Sequence, residues 1–402
     1  MELDGGMEIR QISAEERTHT MRPLQAYAFQ PSPGSDEDTE TYARRMRFYR
    51  SAVSLIAQEE GETLAGATAF PMRQNVRGVV HDMAGVASVA SHPAARRRGL
   101  VRMLLERLLR QMRDQGCTVS ALYPFRPSFY ERFGFVGLPR WRTATFAPEG
   151  LGHLQRAELP GTVEWRRLRD GFDDYRAFTL RLLGERHGFS VFDEIRTAEF
   201  RDSPPRWVAL ARVDGEVVGA VTYRVDQYGG DLIADHLLTT GPLSRALLLQ
   251  FFARHVDQVA RVAVFVDTDE VPELWGTDLI ATTEGRVAYP TANSPMARLL
   301  SVEALSGAAV GEAAGVTVTV VDDDLIGGSY RLAGVAGRLT VERDPGGGAQ
   351  ATLNCAGLSG LAYGVLDPVD VVVRGFGQVD REAVAPLRAL FPRTMPYVFA
   401  DF

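Results

Sequence analysis

Residues 85–135 read GVASVASHPAARRRGLVRMLLERLLRQMRDQGCTVSALYPFRPSFYERFGF, and they decide the fold. The run Val86-Ala87-Ser88-Val89-Ala90-Ser91 is small and β-compatible, and it stops before Pro93. Arg96, Arg97, Arg98 and Gly99 then open a helix. Its Val101, Leu104, Leu105, Leu108, Leu109 and Met112 recur with the 3.6-residue period of one buried face. A second β-run over 118–123 leads into an aromatic turn that closes on Tyr130-Glu131-Arg132-Phe133-Gly134-Phe135.

The turn before the helix carries chemistry. A helix N-terminus presents free N–H groups and the positive end of the peptide dipole, so it attracts an anion such as phosphate. Three arginines add full charges, and Gly99 lets a phosphate come close to the backbone. These residues describe a pyrophosphate cradle. Three solvated arginines would spell the same letters, so the flanking sequence has to choose between the two readings.

Length and composition set the frame. At 402 residues the chain exceeds one typical core, and two or three domains are expected. Its 45% hydrophobic and 24% charged content is that of an ordinary globular protein. No apolar run approaches the ~20 residues of a bilayer span, and the acidic first twenty residues do not have the form of a signal peptide, so a cytoplasmic protein is expected. Cys117 and Cys355 are too few for a disulfide framework or a cysteine zinc site and read as buried thiols. The seven histidines, among them His19, His81, His92 and His187, show no ligand spacing, and no metal is expected. All 44 basic residues are arginine, so the chain has no lysine of its own to acetylate. A net charge of −7 argues against nucleic acid as the main partner and suits a cationic substrate.

Upstream of the cradle, 7–12 reads as a strand and 14–29 as a helix, broken by Gln30-Pro31-Ser32-Pro33-Gly34-Ser35. Asp36, Glu37, Asp38 and Glu40 begin the next helix. They fit a solvated, dipole-complementing helix start or an acidic lip for an amine substrate. Residues 54–58 and 63–70 flank Glu59-Glu60-Gly61-Glu62 as a hairpin, and 76–83 gives another strand.

Taken together, these strands, Pro93, the Arg96-Arg97-Arg98-Gly99-Leu100-Val101 turn and the Tyr130–Phe135 segment resemble the acetyl-CoA site of the GNAT N-acetyltransferases over about residues 7–150. Val101 stands where that motif has a final small residue. FYERFGF is similar to the aromatic segment of the Eis (enhanced intracellular survival) acetyltransferases, and the remainder of the chain has a matching layout. A hairpin across Asp214-Gly215, strands at 232–238 and 261–266 and a helix at 244–256 repeat the first unit, but with Thr239-Thr240-Gly241-Pro242-Leu243-Ser244 in place of the cradle. A turn-rich stretch at 290–295 precedes an expected helix at 296–305 and a period-2 meander.

The resemblance implies an α+β chain of two tandem GNAT-like domains, the second degenerate, followed by a sterol-carrier-protein-like domain, with divisions at 1–150, 151–290 and 291–402. It implies acetyl-CoA as co-substrate, held by Val89, Ser91, Arg96, Arg97, Gly99, Leu100 and Val101. Tyr130 would protonate the departing thiolate, and the α-carboxylate of Phe402 would help deprotonate the acceptor amine. Asp36, Ser88 and Asp401 are candidate substrate contacts. The acceptor would be an amine-bearing small molecule of aminoglycoside or polyamine type, or else a protein lysine or N-terminus. Assembly would be a homo-oligomer, a hexamer by the resemblance, with no nucleic-acid or membrane partner. A lipid- or protein-binding role of the last domain is the non-enzymatic alternative.

Overall fold

The computed structural model describes residues 2–3, 6–31, 46–202, 205–343 and 348–400, without the side chains of 2 and 3. The chain is α+β, and its described residues build three sheets. The first runs, in spatial order, through Glu2–Leu3, Met7–Ile12, Val53–Glu59, Glu62–Val76, Val79–Ser91, Val119–Leu122, Met296–Leu299 and Val136–Gly137, with Ser190–Phe192 added against Glu62–Val76. Among the described residues its one parallel pairing joins Val79–Ser91 to Val119–Leu122, from Met83 opposite Val119 to Val86 opposite Leu122. Helix Leu100–Asp114 makes the crossover between those strands.

That helix is where the sequence says it should be, because Leu104, Leu105, Leu108, Leu109 and Met112 are all buried on one face. Burying each contributes about 1.5–3 kcal/mol. The stripe packs against Leu55, Ala57, Ala67, Ala69, Ala84 and Val86 on one face of the first sheet. The other face is covered by residues from later in the chain: Phe70, Met72, Val76 and Met83 share one core with Val318, Leu332, Leu353, Leu358 and Leu387. The first sheet is thus buried on both sides.

The second sheet repeats the pattern. Its order is Ala281–Glu284, Arg142–Phe146, Arg261–Val266, Asp231–His236, Glu216–Val225, Trp207–Val213, Thr162–Arg167. Its parallel pair, Asp231–His236 with Arg261–Val266, is bridged by helix Pro242–Ala253. The third sheet orders Arg338–Arg343, Gly328–Val335, Gly315–Val321, Ala351–Asn354 and Gly377–Val379, with helices Cys355–Ala362, Pro368–Val373 and Val384–Leu390.

Sheet membership crosses the expected divisions. Arg142–Phe146 already belongs to the second sheet, while Met296–Leu299 returns to the first. The expected helix at 296–305 is a strand followed by a 3-10 turn, Glu303–Leu305. Met296, Ala297, Arg298 and Leu299 are all buried between two strands, so neither helical nor alternating periodicity survives in their letters. Arg298 crosses that interior to ion-pair with Asp323 at 2.9 Å.

Candidate active site

Strand Val79–Ser91 carries a bulge. Against Glu62–Val76, Ala90 opposes Gly66 and Ala87 opposes Thr68, so Ser88 and Val89 share the one residue Ala67. Ser88 adopts φ 57°, unusual for a residue with a Cβ. On the opposite edge the parallel ladder ends at Val86 and Leu122, and the partner strand departs through Tyr123 and Pro124. From Ala87 to Ser91 that edge therefore has no strand partner among the described residues. Unpaired backbone groups in a half-buried cleft call for a ligand that can complete the ladder.

Beyond Ser91 the chain makes the turn Pro93–Ala95 and enters helix Leu100–Asp114. Gly99 caps this helix at φ 80°, a left-handed conformation that costs glycine nothing. Arg97 is also left-handed, at φ 67°. The three arginines differ in their engagements. Arg98 forms a forked pair with Glu59, at 3.0 and 2.9 Å. The side chains of Arg96 and Arg97 are exposed and make no hydrogen bond or ion pair among the described residues, which leaves both at the helix start for an anion. Leu100 is buried beneath the turn and Val101 is half-buried.

Tyr130 lies on the short helix Pro127–Glu131, in the same core as the cradle helix and Val86. Its ring is held edge-on by Phe125, Phe129 and Phe135 at centroid distances of 5.5, 5.1 and 6.2 Å. Burial raises the phenol's pKa well above its ordinary value, so it stays protonated. The group is therefore present as the neutral phenol.

The second half lacks these features. Its parallel ladder continues past a bulge at Asp235 to His236 opposite Phe265, and the Leu237 N–H then donates to the Phe265 carbonyl at 2.9 Å. The corresponding cleft is closed. Ser244 Oγ accepts from the N–H groups of Thr240 and Gly241 at 3.1 Å, and Arg245 is paired with Glu270 at 2.7 Å. His236 is enclosed by Trp141, Phe265 and Phe399, and burial pushes it down to about 3.

Residues near the C-terminus reach the open cleft. The Tyr397 N–H donates to the His187 carbonyl at 3.0 Å, and the Tyr397 hydroxyl meets His236 Nδ1. Phe399 stacks on Phe189 with centroids 4.6 Å apart and planes at 7°. The Ala400 N–H donates to Ser190 Oγ at 3.4 Å, and its carbonyl accepts from the Tyr123 hydroxyl at 3.3 Å. Tyr123 directly follows the strand whose departure opens the cleft. Gly188 makes this path possible: it has φ 81°, and a Cβ there would lie 2.5 Å from the Tyr397 nitrogen.

Of the expected site residues, Ser88, Val89, Ser91, Arg96, Arg97, Gly99, Leu100 and Val101 form one continuous edge and turn, with Tyr130 in the adjoining core. Asp36, Asp401 and Phe402 lie outside the described residues. Tyr123, Ser190 and Phe399 escaped the sequence reading, because their roles depend on contacts across 200 or more positions that no local spacing encodes. Among the described residues no group of His, Cys, Asp or Glu is arranged to hold a metal, and no helix is long and apolar enough to cross a membrane. Both cysteines are free and buried.

Residues 8–137 match the family model described as an acetyltransferase (GNAT) domain. An uncharacterized N-acetyltransferase of Streptomyces coelicolor is 28% identical over 351 residues, covering 81% of this chain and 82% of the relative. Among solved structures, a GCN5-related N-acetyltransferase from Kribbella flavida superposes with TM-score 0.79 at 22% identity, covering 98% of each chain. One from Anabaena variabilis superposes with TM-score 0.81 at 18% identity, covering 98% of this chain and 100% of the other. Eis1 from Mycobacterium abscessus gives 0.74 at 18% identity, with the same coverage. These three structures show a shared fold across nearly the whole chain. Residues 8–137 are a GNAT acetyltransferase domain, whose fold uses acetyl-CoA, and the chain built around it is an N-acetyltransferase.

Proposed function

We propose that this chain transfers acetyl from acetyl-CoA to a primary amine of a cationic small molecule, of aminoglycoside or polyamine type, by an Eis-like direct attack. The observation that carries the proposal is the unpaired strand edge at 87–91 running into an arginine-rich helix start. The amide-bearing pantetheine arm suits the main chain of Val89 and Ser91. The pyrophosphate suits the charges of Arg96 and Arg97 and the N–H groups of Gly99, Leu100 and Val101.

In this reading the amine nitrogen bonds to the thioester carbon, and the carbon–sulfur bond breaks. Tyr130 hands its proton to the departing thiolate. A phenol raised by burial is a weak acid for a thiolate of ordinary pKa ~8.5, so a short, dry contact has to supply the match. The amine proton leaves by way of water or the carboxylates of Asp401 and Phe402, beyond the Ala400 anchor. Ser88 and Asp36 are proposed acceptor contacts, and the net charge of −7 favours a cation. The closed second unit would wall the cleft, and the three-domain division and hexameric assembly belong to the same proposal.

The test is a panel of aminoglycosides, polyamines and lysine peptides scored by thiol release from acetyl-CoA. Turnover with the first two supports the proposal. Turnover confined to peptides would replace it with protein acetylation.

A further inference from the structure

We propose that Tyr49, Phe70 and Phe192 form a subsite for a second positive charge of the acceptor, and that the Arg196 side chain fills it as an internal stand-in. This deepens the functional reading above and rests on it, since it requires a polycationic amine acceptor.

The three rings come from separate elements. Phe70 lies on Glu62–Val76 opposite Gly85, Phe192 ends Ser190–Phe192 opposite Met72, and Tyr49 closes the turn Arg47–Tyr49. Tyr49 and Phe70 are 5.2 Å apart by centroid, and Phe70 and Phe192 are 6.2 Å apart at right angles. The Arg196 guanidinium lies 5.0 Å from the Phe70 centroid, 5.4 Å from Tyr49 and 5.7 Å from Phe192. One cation shared by three rings is the arrangement that recognises organic ammonium groups.

The cage and its occupant sit on elements of different burial. Phe70 is 2% exposed, whereas helix Glu194–Asp202, which carries Arg196, buries no residue. Its ties include the exposed pair Arg47–Asp202 at 3.5 Å, the Arg176 to Thr197 hydrogen bond at 3.0 Å and Phe200 against Tyr175 at 6.0 Å. Contacts of this kind are individually weak, and elements held by them open first. Arg196 also pairs with Glu199 on the same helix, so a carboxylate would face an incoming ammonium once the arginine side chain swings out. Tyr49 serves a second, permanent cation: the buried Arg17 lies 4.1 Å from its centroid and bonds Ser54 and Thr68. Phe192 is therefore the cleaner probe of the exchangeable one.

The cage adjoins the open cleft. Phe192 is two residues from Ser190, which holds Ala400. Phe70 opposes Gly85, three positions before Ser88, roughly 10 Å along the strand at its usual rise. A linear diamine could place one nitrogen at the cleft and the other in the cage.

The experiment compares diaminooctane with octylamine on the full chain. It takes KM from thiol release and Kd from calorimetry with CoA in place of acetyl-CoA. Arg196→Ala should lower both constants for the diamine roughly fivefold while leaving octylamine and acetyl-CoA unchanged. Arg196→Lys should stay near the wild type, and Phe192→Leu should raise the diamine constants by a similar factor. An Arg196→Ala protein with unaltered melting temperature and an unchanged diamine Kd would overturn the subsite. So would an equal shift for both amines. If the wild type acetylates neither amine, the functional reading fails separately. Calorimetric preference for the diamine, strengthened by Arg196→Ala, would still uphold the subsite, and no preference would overturn it.

Discussion

The hydroxyl of Tyr123 donates to the carbonyl of Ala400 at 3.3 Å, across 277 positions of sequence. The bond ties the residues at 396–400 to the strand end where the proposed acetyl-CoA cleft opens. Tyr123→Phe keeps the ring and removes the bond, which is worth ~1 kcal/mol net. Acceptor kcat/KM should fall about fivefold while the acetyl-CoA KM holds. Steady-state kinetics varying each substrate in turn would check this, and equal losses for both would reject a role confined to the acceptor side.

Tyr130→Phe preserves the edge-on packing with Phe125, Phe129 and Phe135 and removes the proton donor. Turnover should drop ~10²-fold with little change in acetyl-CoA affinity. Because burial raises this phenol, wild-type kcat should show no loss from its ionisation up to about pH 10, the ordinary tyrosine value. Near-normal turnover of the phenylalanine variant would exclude the proton-donor role.

The three cradle arginines should separate by function. Arg96→Ala and Arg97→Ala should each raise the acetyl-CoA KM by roughly tenfold, an effect that weakens as salt is added. Arg98→Ala breaks an exposed pair with Glu59 and should change the KM by less than about twofold. Salt-dependent KM measurements on the three variants decide the matter.

Gly188→Ala puts a methyl group into the path of Pro396 and Tyr397 at a left-handed position. The variant should lose acceptor turnover and also melt earlier, by a ΔΔG of about 1–3 kcal/mol. Differential scanning calorimetry on both proteins would show it.

Acid should destabilise the fold through three histidines. Burial pushes His81 and His187 down to about 4 and His236 to about 3. Unfolded histidine titrates near 6.5, so between about pH 6.5 and 4 the unfolded chain takes up protons that the folded chain refuses. Stability is full above that window and is lost as pH falls through it. Melting temperatures from pH 7.5 to 4.5 should decline, and His81→Gln, which removes one such group beside Thr118, should flatten the decline.

What was legible in the sequence was periodic or local. The leucines of Leu100–Asp114 repeat every helical turn, and Arg96 to Gly99 sit together, so helix and cradle could be read directly. The bulge at Ser88 is silent, since small residues fit a straight strand as well as a bent one. Met296–Leu299 was misread because burial on both faces erases alternation. Helix Glu194–Asp202 has no apolar stripe to announce it, and the Phe70–Phe192 contact joins residues that only the added strand Ser190–Phe192 brings together.

Strand Met296–Leu299 sits between Val119–Leu122 and Val136–Gly137. During synthesis the acetyltransferase sheet therefore cannot close until the ribosome has released residue 299, after the entire second sheet has been made. A fragment that stops at 150 exposes the edge of Val119–Leu122 beside the cleft, which invites pairing between copies. Shortening this enzyme to its transferase portion thus requires a replacement for that strand as well as a cut.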